Sequence, residues 1–212
     1  MNLVGHVAVA PDPSAAGFLA GCVLPDVAAI ARVRVARPTT DPIAAGVAFH
    51  HECDHVFHSL AWFNDTCVQL RDDLLAAGVD RGPARATAHA GLEMLLDGAL
   101  VGDADVRGNV RIALDTLDAH AAALAPLVAG DAQERWIVGV SRIASSLDVD
   151  GYTDAVSITM RLQRMTAGRA RIELRAEQAP AVTQVLETAQ RRVVADAPLV
   201  LEAVRSGVRV SR

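Results

Sequence analysis

Apolar and polar positions along this chain keep helical spacing almost from end to end. No run of alternating strand residues breaks the pattern, and there is no internal repeat and no low-complexity linker. The spacing predicts a helix over residues 15–24, opened by Asp12, Pro13 and Ser14 and closed by a bend at Pro25 and Asp26. Asp41 and Pro42 read as an N-cap with proline at the first helical position. The helical pattern then runs to about residue 77, bent near residues 59–64. Residues 78–83 read as a loop. Further helices are predicted over 84–100, stopped by Gly98 and Gly102, and over 106–127, ending at Gly130. Asp131 is the expected cap of a helix over 132–147, and a turn at 148–151 leads to another over 153–165. Residues 167–180, where Arg and Glu replace apolar residues, read as a loop before a terminal helix over 180–206 with Pro198 as a kink. The expected class is all-α: a single helical domain over 1–212, with about seven to nine helices.

Composition adds limits rather than a function. Apolar residues make up 51% of the 212, enough for a sizeable core, and with only 3% aromatics that core is built from Ala, Val and Leu. All 20 basic residues are Arg, and the net charge of −5 carries no general nucleic-acid signal. Cys22, Cys53 and Cys67 share no CxxC spacing, so a reducing cytoplasm is the expected home. Residues 1–17 lack the basic and apolar regions of a signal peptide. The most apolar stretch, residues 15–31, is interrupted by Pro25 and Asp26 and is too short to span a bilayer.

The chemistry is concentrated in one place. His50, His51, His55 and His58 fall within nine residues, with Asp54 among them. Helical positions i and i+4 share a face, so His50, Asp54 and His58 form one stripe and His51 and His55 a neighbouring one. His89, Glu93 and Asp97 repeat the spacing on another helix. Eight residues of helix rise about 12 Å, so His50 and His58 do not reach the same ion. One ion would instead take an i, i+4 pair from each helix, leaving the other groups for a second ion, for orienting the ligands or for the substrate. Mixed imidazole and carboxylate donors suit Mn, Fe or Zn better than Ca or a thiolate-bound ion. A solvated His/Asp face is the alternative; Val47, Phe49, Val56 and Phe57 argue against it, because they border the stripe with a buried face. For Glu93 and Asp97 a solvated face and a site fit the pattern equally. Leu92, Leu95 and Leu96 place their helix largely inside, where a carboxylate pair without a cation is costly.

A resemblance gathers the isolated residues. The opening Met-Asn-Leu-Val-Gly-His6, then Leu24-Pro25-Asp26, then Gly46 to Asp54 with His50 between, then Glu93-Met94-Leu95-Leu96-Asp97, is similar in order and spacing to the bacterial acyl carrier protein phosphodiesterase family. A weaker echo follows in residues 162–166 and Arg169, so the likeness covers roughly residues 1–170. It implies an all-helical, HD-domain-like phosphohydrolase. Such an enzyme uses a divalent metal, usually Mn²⁺, to release 4′-phosphopantetheine from holo acyl carrier protein. By position it implies metal or catalytic roles for His6, Asp26, His50, Asp54, Glu93 and Asp97. Three departures stand out. His51 and Glu52 replace basic residues after the motif His; His58 occupies a position that is often acidic; and Glu93 replaces Asp.

The leading expectation is metal-assisted phosphoester hydrolysis, with His58 or His89 as general acid. Arg161, Arg164, Arg169, Arg171 and Arg175 are the candidates for a basic face towards an acidic carrier protein. A di-iron helical oxygenase fits less well, since no Glu-x-x-His pair occurs on the relevant helices. A helical metal-binding or interaction module without hydrolase activity is the non-enzymatic alternative. No helix-turn-helix coincides with a basic recognition helix, so no nucleic-acid partner is expected.

Overall fold

In a computed structural model, which describes residues 1–39 and 41–208, the chain is all-helical, with an isolated antiparallel bridge between Val35 and Val128 as its only β feature among those residues. Nine α-helices are described: α1 (Leu3–Ala8), α2 (Ala16–Ile30), α3 (Ile43–Ser59), α4 (Ala61–Ala76), α5 (Arg81–Leu100), α6 (Ala104–Leu124), α7 (Gln133–Ser146), α8 (Ala155–Thr166) and α9 (Ala179–Gly207). Thr40 and residues 209–212 of the expected domain lie outside the described residues. No described helix is long and apolar enough to cross a membrane.

Several boundaries differ from the sequence expectation, each for a physical reason. Asp12 accepts hydrogen bonds from Ser14 N and Oγ and so closes its own turn, and α2 starts only at Ala16. Pro25 does not end α2. Val23 and Leu24 before it and Val27 and Ala28 after it are buried, and this continuous apolar face outweighs the missing N–H. The bend expected at 59–64 is a single extended residue, Leu60, between α3 and α4. Gly98 lies inside α5 rather than stopping it, because the carbonyl of Tyr152 packs where a β-carbon would be. Asp131 sits within a 3₁₀ turn (Gly130–Ala132), not at the cap of α7. The loop expected over 167–180 ends in a 3₁₀ turn (Ala176–Gln178) directly before α9.

The chain divides into two units, each assembled from separated segments. One unit holds α1, α2, α3 up to Val56, α6, α7 and the end of α9 from Ala203. Its centre is α6, whose buried Val110, Ala113, Leu114, Leu117, Ala121 and Leu124 recur at helical spacing and pack on α2, α1 and α7. Asp103 caps α6 by accepting from the N–H groups of Asp105 and Val106. The wholly buried Trp136 of α7 donates its indole N–H to the carbonyl of Ala121 at 2.9 Å.

In that unit α2 and α3 approach through glycine. A β-carbon on Gly21 would sit 2.9 Å from Gly46 Cα, and one on Gly46 would sit 2.8 Å from Gly21 Cα. Only residues without a side chain allow the two backbones to come so near. One residue beyond Gly21 lies Cys22, and one turn beyond Gly46 lies His50.

The other unit holds α4, α5, α8 and α9 up to Glu202. Here α5 packs against α4 and α8, and α8 is capped by Asp154. Ile158 and Leu162 of α8 and Val182 and Leu186 of α9 are fully buried.

Candidate functional site

The first unit brings four of the expected residues together. His6 comes from α1, Asp26 from α2, and His50 and Asp54 lie one turn apart on α3. His6 is completely buried and His50 nearly so, while the Asp26 and Asp54 side chains are 18% and 32% exposed. The two imidazoles stack, with centroids 3.8 Å apart. His6 Nε2 lies 3.2 Å from Asp54 Oδ1, and His50 Nε2 lies 3.5 Å from Asp54 Oδ2. His6, His50 and Asp54 therefore converge, each offering one donor atom within 4.8 Å of the others.

The other ring nitrogens are already engaged. His50 Nδ1 is 2.8 Å from the carbonyl of Cys22. A carbonyl only accepts, so Nδ1 carries the proton, and in the neutral ring Nε2 presents a lone pair to Asp54. His6 Nδ1 lies 3.1 Å from Asp26 Oδ2. Fixing one imidazole nitrogen with a carbonyl or carboxylate so that the other faces an ion is the usual support of a metal-binding histidine. Asp26, expected to complete or orient the ligand set, lies on the far nitrogen of His6, 3.9 Å from His50 Nδ1.

The residues fit a divalent cation. His6 Nε2 is buried and makes no hydrogen bond despite its nearness to Asp54. A neutral His50 would set a lone pair against a carboxylate, which a cation between them reconciles. Burial works to lower the His6 pKa, but the charge and hydrogen bond of Asp26 and the contact with Asp54 outweigh it and push it up to about 9. Burial likewise works to raise the Asp54 carboxyl, yet His50, His6 and the ammonium at Met1, 2.6 Å away, hold it well below the usual carboxylate range. His51 packs edge-on against His50 but, like His55, is exposed and outside this grouping.

The second unit gathers His58, His89 and Glu93. Glu93 Oε1 is 3.0 Å from His58 Nε2 and 3.4 Å from His89 Nε2. The carboxylate expected to join His50 and Asp54 is therefore engaged by the two histidines that sequence reasoning cast as general acids. Asp97, one turn beyond Glu93, is wholly buried and lies outside this trio. His89 and Glu93 line an open cleft of about 890 Å³, with Phe63, Cys67, Arg71, Arg85 and Arg171 among its other walls. Of the expected basic face, Arg171 reaches this cleft. Arg161 is drawn to Asp148 and over the Tyr152 ring, Arg175 pairs with Asp80 and Glu177, and Arg164 and Arg169 are exposed.

Sequence reasoning missed the Cys22 carbonyl, the glycine contact that delivers it, and Phe63. A backbone acceptor leaves no trace in residue identity; the small residues Gly21 and Gly46 were the one available signal. No family model, curated protein or solved structure matches the chain.

Proposed function

We propose that this chain is a metal-dependent phosphodiester hydrolase whose ion is held by His6, His50 and Asp54. The observation that carries the reading is the convergence of two anchored imidazoles on one carboxylate. The motif order shared with acyl carrier protein phosphodiesterases supports the reaction class, with Mn²⁺ the preferred ion and Fe or Zn the alternatives. The HD-domain likeness, holo acyl carrier protein as substrate and a cytoplasmic setting belong to the same reading; the three free cysteines agree with that setting.

The chain's own residues do the positioning. Asp26 and the Cys22 carbonyl keep the δ-nitrogens of His6 and His50 occupied, so their ε-nitrogens stay directed at the ion. Asp54 contributes the charge that balances it, and its partial exposure leaves a route for water. A divalent cation bound there supplies acidification of water to near neutral pKa and neutralisation of phosphoryl charge.

The test uses untagged protein stripped of metal and reloaded with Mn²⁺, incubated with holo acyl carrier protein, with loss of the pantetheine arm read by mass. The His50→Ala, Asp54→Ala double variant should lose both Mn²⁺ and release. Undiminished Mn²⁺ binding in that variant would refute the ligand assignment. The rival reading, a helical metal-binding module without turnover, draws on His51 and Glu52 in place of basic residues. It predicts wild-type protein that binds Mn²⁺ and releases nothing.

A further inference from the structure

The trio in the second unit has the composition and geometry of a site in its own right. We propose that His58, His89 and Glu93 form a separate divalent transition-metal site of the zinc class, open to the arginine-walled cleft. His58 stands near the end of α3, and His89 and Glu93 are one turn apart on α5, so two helices supply the donors. Their ligand atoms lie within 4.8 Å of one another, a spread that ion–ligand bonds of about 2.0–2.2 Å close with small adjustments.

The two imidazoles and the carboxylate converge on one point. Both Nε2 atoms address the same oxygen, Oε1 of Glu93. The two rings stack with centroids 5.2 Å apart and planes 21° apart. Hydrogen bonding to that oxygen requires each ring to carry its proton on the ε-nitrogen. A single cation uses all three lone pairs together. Two imidazoles and one carboxylate, with further positions left open, is the donor set of many zinc sites, whereas Mg²⁺ and Ca²⁺ favour all-oxygen shells.

The rings are held in place before any ion binds. Phe63, almost fully buried, presents its edge to both, with centroids 4.9 Å from His58 and 5.2 Å from His89, and Phe57 packs edge-on against His58. His89 and Glu93 line the cleft, so positions not filled by protein are open to water or to an anion drawn in by Arg71, Arg85 and Arg171. Cys67 lines the same cleft, where burial, reinforced by the charge of Glu93, pushes its thiol up to about 11. An ion here would occupy the nitrogens that a general acid needs, so the two roles for His58 and His89 are mutually exclusive.

The experiment is calorimetric titration of the untagged, metal-stripped full chain with Zn²⁺ alone, paired with the visible spectrum of the Co²⁺-loaded protein. Wild type should take up two equivalents. His89→Ala, at a half-exposed position, and the shape-conserving Glu93→Gln should each lose one, together with its Co²⁺ bands, with the helical circular dichroism unchanged. Unaltered stoichiometry and affinity in both variants overturns the proposal. So does loss of both equivalents in either variant, and so does loss of pantetheine release with full metal retained, which returns His89 to the acid role. If His50→Ala, Asp54→Ala leaves metal binding intact while His89→Ala removes an equivalent, this site stands and the proposed hydrolytic centre falls.

Discussion

His6 and His50 lie ring on ring, their planes 26° apart, and both turn Nε2 to the carboxylate of Asp54. The stack joins a residue of α1 to one of α3, and each ring is pinned from behind by a different acceptor on α2, Asp26 for His6 and the Cys22 carbonyl for His50. An arrangement with two fixed donors and one charged acceptor is preorganised, and its supports should be as sensitive to change as its ligands.

Asp26 is the first such support. Asp26→Ala removes the acceptor for His6 Nδ1–H and frees the ring to choose its tautomer. The expected result is a loss of about 10–100-fold in Mn²⁺ affinity with all proposed ligands still present. Titration calorimetry on the metal-stripped variant checks this; unchanged affinity would show that His6 is held by packing alone.

Gly46 is the second. Gly46→Ala would force apart α2 and α3, displacing His50 from the Cys22 carbonyl. Overpacking of this kind costs about 1–3 kcal/mol, so both the urea midpoint and the Mn²⁺ affinity should fall. Gly102→Ala, where nothing lies within 4 Å of an added β-carbon, should leave Mn²⁺ affinity unchanged and serves as the control.

The metal-free protein should be sensitive to pH on both sides. The folded pKa of His6, about 9, stands above its unfolded value of 6.5, so its contribution is whole below 6.5 and is lost as pH rises through 9. Asp54 and Glu93 are shifted the other way, and what they contribute is lost as pH falls through and below the ordinary carboxylate range. Urea midpoints measured from about pH 2 to 10 should trace a dome. His6→Gln should flatten the alkaline limb and also shrink the part of the acid limb that Asp54 contributes, while leaving the part from Glu93.

Asp154 offers a prediction about stability alone. Its carboxylate accepts from the N–H groups of Val156 and Ser157 and from Ser157 Oγ at the start of α8. Asp154→Ala should cost about 0.5–2 kcal/mol in unfolding free energy, with Mn²⁺ binding by the His6–His50–Asp54 group unaltered.

Local periodicity made much of this protein legible before any coordinates. A helix is built from contacts three and four residues apart, so the all-helical class and the His50–Asp54 and His89–Glu93 pairings follow from spacing alone. The same local view misjudged Pro25 and Gly98, which read as stops but lie within helices because buried neighbours and a packed carbonyl decide there.

Tertiary structure decided which pairs became partners. His6 meets Asp26 across 20 residues and Cys22 meets His50 across 28, contacts that depend on which helix faces which. Helical spacing alone does not tell whether the stripe on α5 faces His50 or His58, since both lie on one face of α3; the structure gives Glu93 to His58. Nor does it show which ring nitrogen of His6 the Asp26 carboxylate reaches. Side-chain identity sets what a group can bind; the approach of backbones, here permitted by Gly21 and Gly46, sets what it meets.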